Sequence, residues 1–140
     1  MDLADFRTRL RDARTVVVVG CSPRPGRAAH FVPRYLQDAG LRVIPVNPHH
    51  EEIMGETCYP NLLSVPDDVQ VDIIDVFRRP EFVPAVAQDA ADWAERSGQT
   101  PLFFTQVGVH HPEAQRIAEA AGLPYVADRC LMVDHRAYAD

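Results

Sequence analysis

The residues best equipped for chemistry lie in one stretch, Gly20-Cys21-Ser22-Pro23-Arg24-Pro25-Gly26-Arg27. A thiol, a hydroxyl and two guanidinium groups fall there between glycines. The valines Val16–Val19 come immediately before, and a helical pattern opens near Ala28 immediately after. A strand that ends in glycine and reopens as a helix leaves backbone N–H groups pointing at whatever sits over the loop. The positive end of the helix dipole points the same way. The chemistry this suits is anion binding, and first a phosphate-bearing nucleotide. All 14 basic residues of the chain are arginine. Without lysine there is no Schiff base, no lysine general base and no Walker P-loop. Any anion must be held by arginine forks and backbone N–H groups.

Other candidates gather at the ends of later apolar runs. Asn47-Pro48-His49 stands where a dinucleotide-binding domain usually carries an acid for the ribose hydroxyls. The glycine pattern also departs from G-x-G-x-x-G. A missing acid with added arginines favours a ribose that bears its own phosphate, as in NADP or coenzyme A, and spacing alone does not separate these two. Phe77-Arg78-Arg79 follows a third apolar run, with Arg78 nearest the strand end, and Gln106-Val107-Gly108 follows a fourth. Cys21 has two readings: a thiolate stabilised by the helix N-terminus, or the plainer one, a small buried residue without reactivity. Cys130 and His135 stand five apart on no defined element and make no nucleophile pair. The adjacent pairs His49-His50 and His110-His111 lack zinc-ligand spacing and read as rim histidines. Asp72 and Asp75 bracket the third strand; Asp75 is either a base facing the pocket or a structural hydrogen-bonding group. No Ser-His-Asp set is present. The expected catalytic and metal-binding sets are both empty.

Positioning these residues requires a regular frame. Leu3, Phe6, Leu10 and Ala13 are spaced for a short amphipathic helix over 2–14. Strands are expected at 15–19, 41–46, 70–77, 100–105 and 123–127. Helices are expected at 28–39, 80–97 and 112–121, with Gly40 and Gly122 as stops and Pro80 at a helix start. Pro33 falls early enough in its helix to be tolerated. Between 49 and 66 the pattern is irregular, with a turn at Ile53-Met54-Gly55, an extended piece at 57–59 and Asn61 capping a brief helical turn. The tail from 128 to Asp140 is weakly patterned. Alternating strands and helices with right-handed crossovers predict an α/β, doubly wound parallel sheet of about five strands in the order 3-2-1-4-5. Its switch point then lies between the first and fourth strands, with Gly20–Arg27 as one wall and Gln106–Gly108 as the other.

A chain of 140 residues is most simply one domain, spanning 1–140, and buries roughly two thirds of its unfolded surface without staples. Three cysteines at wide spacing point to free thiols in a reducing compartment. No signal peptide or membrane span is visible, so a cytoplasmic location is expected. A net charge of −6 argues against nucleic acid as partner.

The order of short motifs resembles the small single-domain coenzyme-A-binding proteins related to the N-terminal domain of the succinyl-CoA synthetase α subunit. The matching pieces are Val-Val-Gly20-x-Ser22-Pro23-x3-Arg27, Val43-Ile-Pro-Val-Asn47-Pro48 and Ile53-x-Gly55-x3-Cys58-Tyr59. They continue with Asp72-x2-Asp75-Val-Phe77-Arg78, Gln106-x-Gly108-Val109 and Asp128-Arg129-Cys130. The resemblance implies a Rossmann-like fold that holds coenzyme A at its switch point. It places Gly20, Ser22 and Arg27 on the nucleotide phosphates, with Cys21 and Arg24 in the same loop, and Asn47 and Pro48 at the adenosine end. Phe77 and Arg78 would flank the ligand, while Gln106 and Gly108 would let the pantetheine arm pass. Cys21 departs from the family, where a plain apolar residue is more usual. The ligase relatives need a phosphorylated histidine in a further domain and a second subunit, so ligase activity by these residues alone is not expected. The implied function is coenzyme A or acyl-CoA binding, as a carrier, sensor or regulator. The alternatives are a small NADP-binding oxidoreductase and a protein-interaction module with a vestigial pocket. The first lacks a Tyr-x3-Lys pair, and the second predicts that the arginine loop tolerates mutation.

Overall fold

Consecutive valines without a polar residue between them need cover on both sides, and the computed structural model, which describes residues 1–139, provides it. Val16 and Val18 point into one apolar layer and Val17 and Val19 into the other, all four buried. They form β1 (Thr15–Val19), which pairs in parallel with β2 (Arg42–Val46) and with β5 (Ile73–Val76). β6 (Leu102–Thr105) and β7 (Tyr125–Val126) extend the sheet. A separate hairpin of β3 (Glu52–Ile53) and β4 (Glu56–Thr57) turns through Met54 and Gly55, both at positive φ, as a primed turn demands.

Helices cover both faces. On one side α3 (Val83–Ser97) and α4 (Pro112–Ala120) pack Trp93, Ala90 and Ala114 onto Val17, Ile74 and Phe103. The Trp93 indole N–H is satisfied by the Val65 carbonyl at 2.9 Å. On the other side α1 (Leu3–Asp12), α2 (Ala28–Asp38) and α5 (Leu131–Tyr138) bury Phe6, Leu10, Val32, Leu36 and Leu131 against Val16, Val18, Ile73 and Phe104. The result is a doubly wound α/β sheet of five parallel strands. Asn61 caps the short helical turn Leu62–Ser64, as its sequence position suggested. The helix expected from Pro80 opens with a 3-10 turn over Pro80–Phe82 and becomes α-helical at Val83. Asp72 has a structural role: one carboxylate oxygen accepts the N–H groups of Arg14 and Thr15 at 2.8 and 3.0 Å, fixing the entry to β1.

Two expectations are corrected. The strand order is β2-β1-β5-β6-β7, so the third strand of the main sheet lies beside the first rather than outside the second. The switch point therefore falls between β1 and β5. Pro45 supplies the physical reason. It lies in β2 and has no N–H, and its carbonyl faces outward to accept the Tyr59 N–H at 3.0 Å. Proline with its N side away from the ladder belongs on an edge strand, whereas Ile73–Val76 is buried on both faces and belongs inside. The second correction concerns the tail, where α5 is a genuine helix. It is short, buries Leu131 and Asp134, and is fastened at its start by a local ion pair in which Arg129 reaches Asp134 at 2.7 Å through Nε and Nη2, which periodicity does not reveal. Among the described residues no helix is long and apolar enough to cross a membrane.

Candidate functional site

The carboxyl ends of β1 and β5 meet at Gly20 and Phe77. Gly20 has φ of +85°, and a Cβ there would overlap the Phe77 carbonyl oxygen. Its N–H is held by the Val46 carbonyl at 2.9 Å. Glycine is thus required by the turn and by close backbone approach, independently of any ligand. On either side of this contact the surface opens into a cleft.

The first cleft, about 370 Å³, lies over the loop from β1 to α2 and is lined by Ser22, Arg24, Arg27 and His50, with Gly20, Asn47 and Phe77 at its back. The loop is fastened by an unusual exchange. Pro33, inside α2, has no N–H to give the Ala29 carbonyl one turn earlier. That carbonyl instead accepts the Ser22 N–H at 3.0 Å. Ser22 Oγ accepts the Arg24 N–H at 3.1 Å, and His30 Nδ1 donates to the Ser22 carbonyl at 2.9 Å. Arg27 stands at the N-cap of α2, where no side chain caps the helix. Among the described residues neither Arg24 nor Arg27 joins an ion pair. Two uncommitted guanidinium groups and an uncapped helix start therefore face one cleft.

The second cleft, about 460 Å³, lies between the ends of β2, β1 and β5 and the start of α3. It shares Gly20, Asn47 and Phe77 with the first and adds Pro48, His49, Asn61, Arg78, Arg79 and Phe82. The Arg78 guanidinium lies 4.6 Å above the Phe82 ring, with Arg79 at 5.3 Å, so a cationic and aromatic platform forms one wall. Asp89 is on the same wall; burial, and secondarily Asp92, raises its carboxyl above the usual range.

Asn47 joins the two clefts. Its Nδ2 donates to the Cys21 carbonyl and its Oδ1 accepts the His49 N–H, both at 2.9 Å. An aspartate could accept the second bond but could not donate the first, so the absence of an acid here has a structural cause as well as a bearing on the ligand.

The structure brings Gly20, Ser22, Arg24, Arg27, Asn47, Pro48, Phe77 and Arg78 to these two clefts and leaves three other candidates outside their linings. Cys21 is fully buried, and burial, followed by neighbouring Cys58, pushes its thiol up to about 12, opposite to a helix-activated thiolate. Gln106 and Gly108 follow β6, which β5 separates from β1. The Gly108 N–H is engaged by Asp128 Oδ1 at 2.6 Å, and Gln106 Oε1 is buried without a partner. Asp75 is, among the described residues, the other buried side chain left unpaired: neither carboxyl oxygen has a partner among them, and burial holds its pKa well above the usual range. It pairs with Val18 and Phe104 across the sheet and lies in the apolar layer, rather than on the cleft. Phe82 and Asn61 were not singled out from sequence for the site. Phe82 sits at the first turn after Arg78-Arg79, where an aromatic outside the helical stripe was the available signal. Among the described residues no cluster of His, Cys, Asp or Glu forms a metal site.

A doubly wound sheet with an arginine-bearing loop and clefts at its switch point is a Rossmann-like ligand-binding domain. The chain belongs to the CoA binding domain family, whose model matches residues 14–136. It is 34% identical over 132 residues to the uncharacterized protein YneT of Bacillus subtilis (strain 168), covering 94% of this chain and 93% of that protein. It is 30% identical to acetate–CoA ligase [ADP-forming] I of Archaeoglobus fulgidus over 88% of this chain but only 18% of the ligase. Among solved structures, the cell-free ID.343 protein from Thermus thermophilus is 38% identical and superposes with a TM-score of 0.83 over 99% of both chains.

Proposed function

We propose that this protein binds coenzyme A, free or acylated, across the two clefts at the β1–β5 switch point, and serves as a binding module without chemistry of its own. The observation that carries this reading is the pair of clefts that share Gly20, Asn47 and Phe77, with arginines on both sides. An ADP with an additional phosphate presents anionic groups at two places. Arg24, Arg27 and the start of α2 offer one receptor for them, and Arg78 and Arg79 offer another. The Phe82–Arg78 platform suits the face of a purine, because stacking on an aromatic or guanidinium plane needs no particular hydrogen-bond pattern. Cys21 belongs to this reading as a support behind the cleft, presenting its carbonyl to Asn47, and Gln106 and Gly108, beyond β5, would meet only the far end of a long ligand arm. A role as carrier, sensor or regulator follows from binding alone.

Purified protein should be heated with saturating coenzyme A, NADP or neither. Coenzyme A is expected to raise the melting midpoint, since a ligand that binds only the folded state stabilises it by a term that grows with the logarithm of one plus its concentration over Kd, and NADP is expected to do less. Equal shifts with both, or none with either, would overturn the reading. Mass spectrometry of ligand that accompanies the protein through purification provides the parallel check.

A further inference from the structure

We infer that the cleft beside Phe82 selects its base, taking adenine through the 6-amino group, with Asp89 as the acceptor that decides the choice. The inference rests on reading these clefts as a nucleotide site, and it assigns the part of that site which the arginines leave open.

Asp89 is the one acidic side chain among the described residues that line the cleft of about 460 Å³. Val86 follows Phe82 by four residues and Asp89 follows Val86 by three, so the three share one face at the start of α3. Seven residues carry Asp89 about 10 Å along the helix from Phe82. The tilt of helical Cβ atoms toward the N-terminus leans its carboxylate back toward the ring. Val86 is buried between them, and Leu62 is buried on the facing segment. A purine on the Phe82 ring thus rests against apolar walls with one edge turned to Asp89.

The facing segment adds a donor. Trp93, Arg96 and Gln99 bond in turn to Val65, Asp67 and Val69, so the segment runs in the direction of α3. Asn61, four residues before Val65, therefore falls beside the turns that carry Val86 and Asp89, and it lines the same cleft. Its amide orientation is fixed, because Oδ1 accepts both the N–H and the hydroxyl of Ser64 at 2.9 Å. Nδ2 is left as an uncommitted donor. Asp89 likewise makes no hydrogen bond or ion pair among the described residues. A carboxylate acceptor near an amide donor complements adenine, whose 6-amino group donates and whose neighbouring ring nitrogen accepts. A 6-oxo purine sets an oxygen against the same carboxylate, two acceptors without a proton between them. Asp89 is half-buried, so an acceptor left unanswered there is costly. The arginines hold the phosphates of either nucleotide alike.

The test is calorimetric titration of the whole protein with coenzyme A and its hypoxanthine counterpart, and with ADP and IDP. The parent is compared with Asp89→Asn and with the Arg24→Gln/Arg27→Gln double variant. The parent is expected to bind each 6-amino ligand at least about tenfold more tightly than its 6-oxo counterpart, the scale of one charge-assisted hydrogen bond. Asp89→Asn should bring this ratio close to one, since an amide can accept from the amine or donate to the oxygen. The arginine double variant should weaken all four ligands and keep the ratio. Equal binding of the two bases by the parent would overturn the inference while leaving the coenzyme A reading intact. So would an Asp89→Asn protein that loses both bases to the same extent, which assigns the carboxylate to a ribose hydroxyl instead. If only ADP binds, and is preferred to IDP through Asp89, the inference stands and the coenzyme A reading falls; if none of the four binds, both fall.

Discussion

Asp75 offers the sharpest quantitative test of the structure. It is fully buried in an apolar layer, between Val18 and Phe104, and neither carboxyl oxygen has a partner among the described residues. Burial disfavours the charged form, so folding moves its pKa well above the usual 3.8. The sign of the linkage follows. Below pH 4 the carboxyl is protonated in both states, and the folded protein bears only the cost of an unpaired neutral group, about 1–3 kcal/mol. As pH rises above 4 the unfolded chain releases this proton while the folded chain keeps it. Stability then falls by up to about 1.4 kcal/mol per pH unit until the folded pKa is reached. Asp75→Val replaces the carboxyl with an apolar group that suits a strand, and Asp75→Asn removes only the titration. Urea unfolding of all three proteins from pH 4 to pH 8 isolates the effect, since the other ionisable groups cancel in the differences. Asp75→Val should be more stable than the parent at every pH, with an advantage that widens as pH rises. Asp75→Asn should gain nothing near pH 4 but should show the same widening. A difference that stays flat with pH, or a destabilised valine variant, would refute the argument and mean that the carboxyl is solvated or paired within the fold.

Three further outcomes follow from the site. Gly20→Ala forces a side chain onto the Phe77 carbonyl at a φ of +85°; the backbone term alone costs about 1–2 kcal/mol, so the urea midpoint should drop even without ligand. Asn47→Asp sets a carboxylate oxygen against the Cys21 carbonyl in place of a donor; a loss of about 1–3 kcal/mol is expected by the same denaturation assay, and an unchanged midpoint would show that the bond is dispensable. Arg27→Ala should weaken coenzyme A more than dephospho-coenzyme A in calorimetric titrations if Arg27 meets the 3′-phosphate, whereas equal losses would assign it to the pyrophosphate.

Much of this molecule could be read from its residues. The valine run, the glycine that ends it and the alternation of strand and helix carried the fold class, because burial on two faces leaves a plain mark in sequence. That the arginine loop, Asn47, Phe77 and Arg78 would share one rim was legible because the loops that follow parallel strands gather at one edge of such a sheet. The strand order was not obtained, although Pro45 held the clue: a residue without an N–H is a poor interior strand residue. Placing the fourth strand beside the first then set Gln106 and Gly108 at the switch point, whereas β5 stands between them and β1. α5 was missed because it is short and joins a single buried apolar residue, Leu131, to a buried acid that Arg129 satisfies, a pattern with no periodic signature. Cys21 agrees with the plainer of its two readings, a small buried residue, since burial outweighs its place near a helix N-terminus.

The proline in α2 has a kinetic consequence. Because Pro33 releases the Ala29 carbonyl to the Ser22 N–H, the lip of the arginine cleft is tied to the body of a helix before any ligand arrives. A receptor assembled in advance loses little chain freedom on capture, so association should proceed as a single collision-limited step, without a slower ordering phase. The same tether limits how far the lip can yield. Anions with different phosphate arrangements would then be sorted by how well they fit a fixed rim, and differences among them should appear in how fast they leave rather than in how fast they arrive.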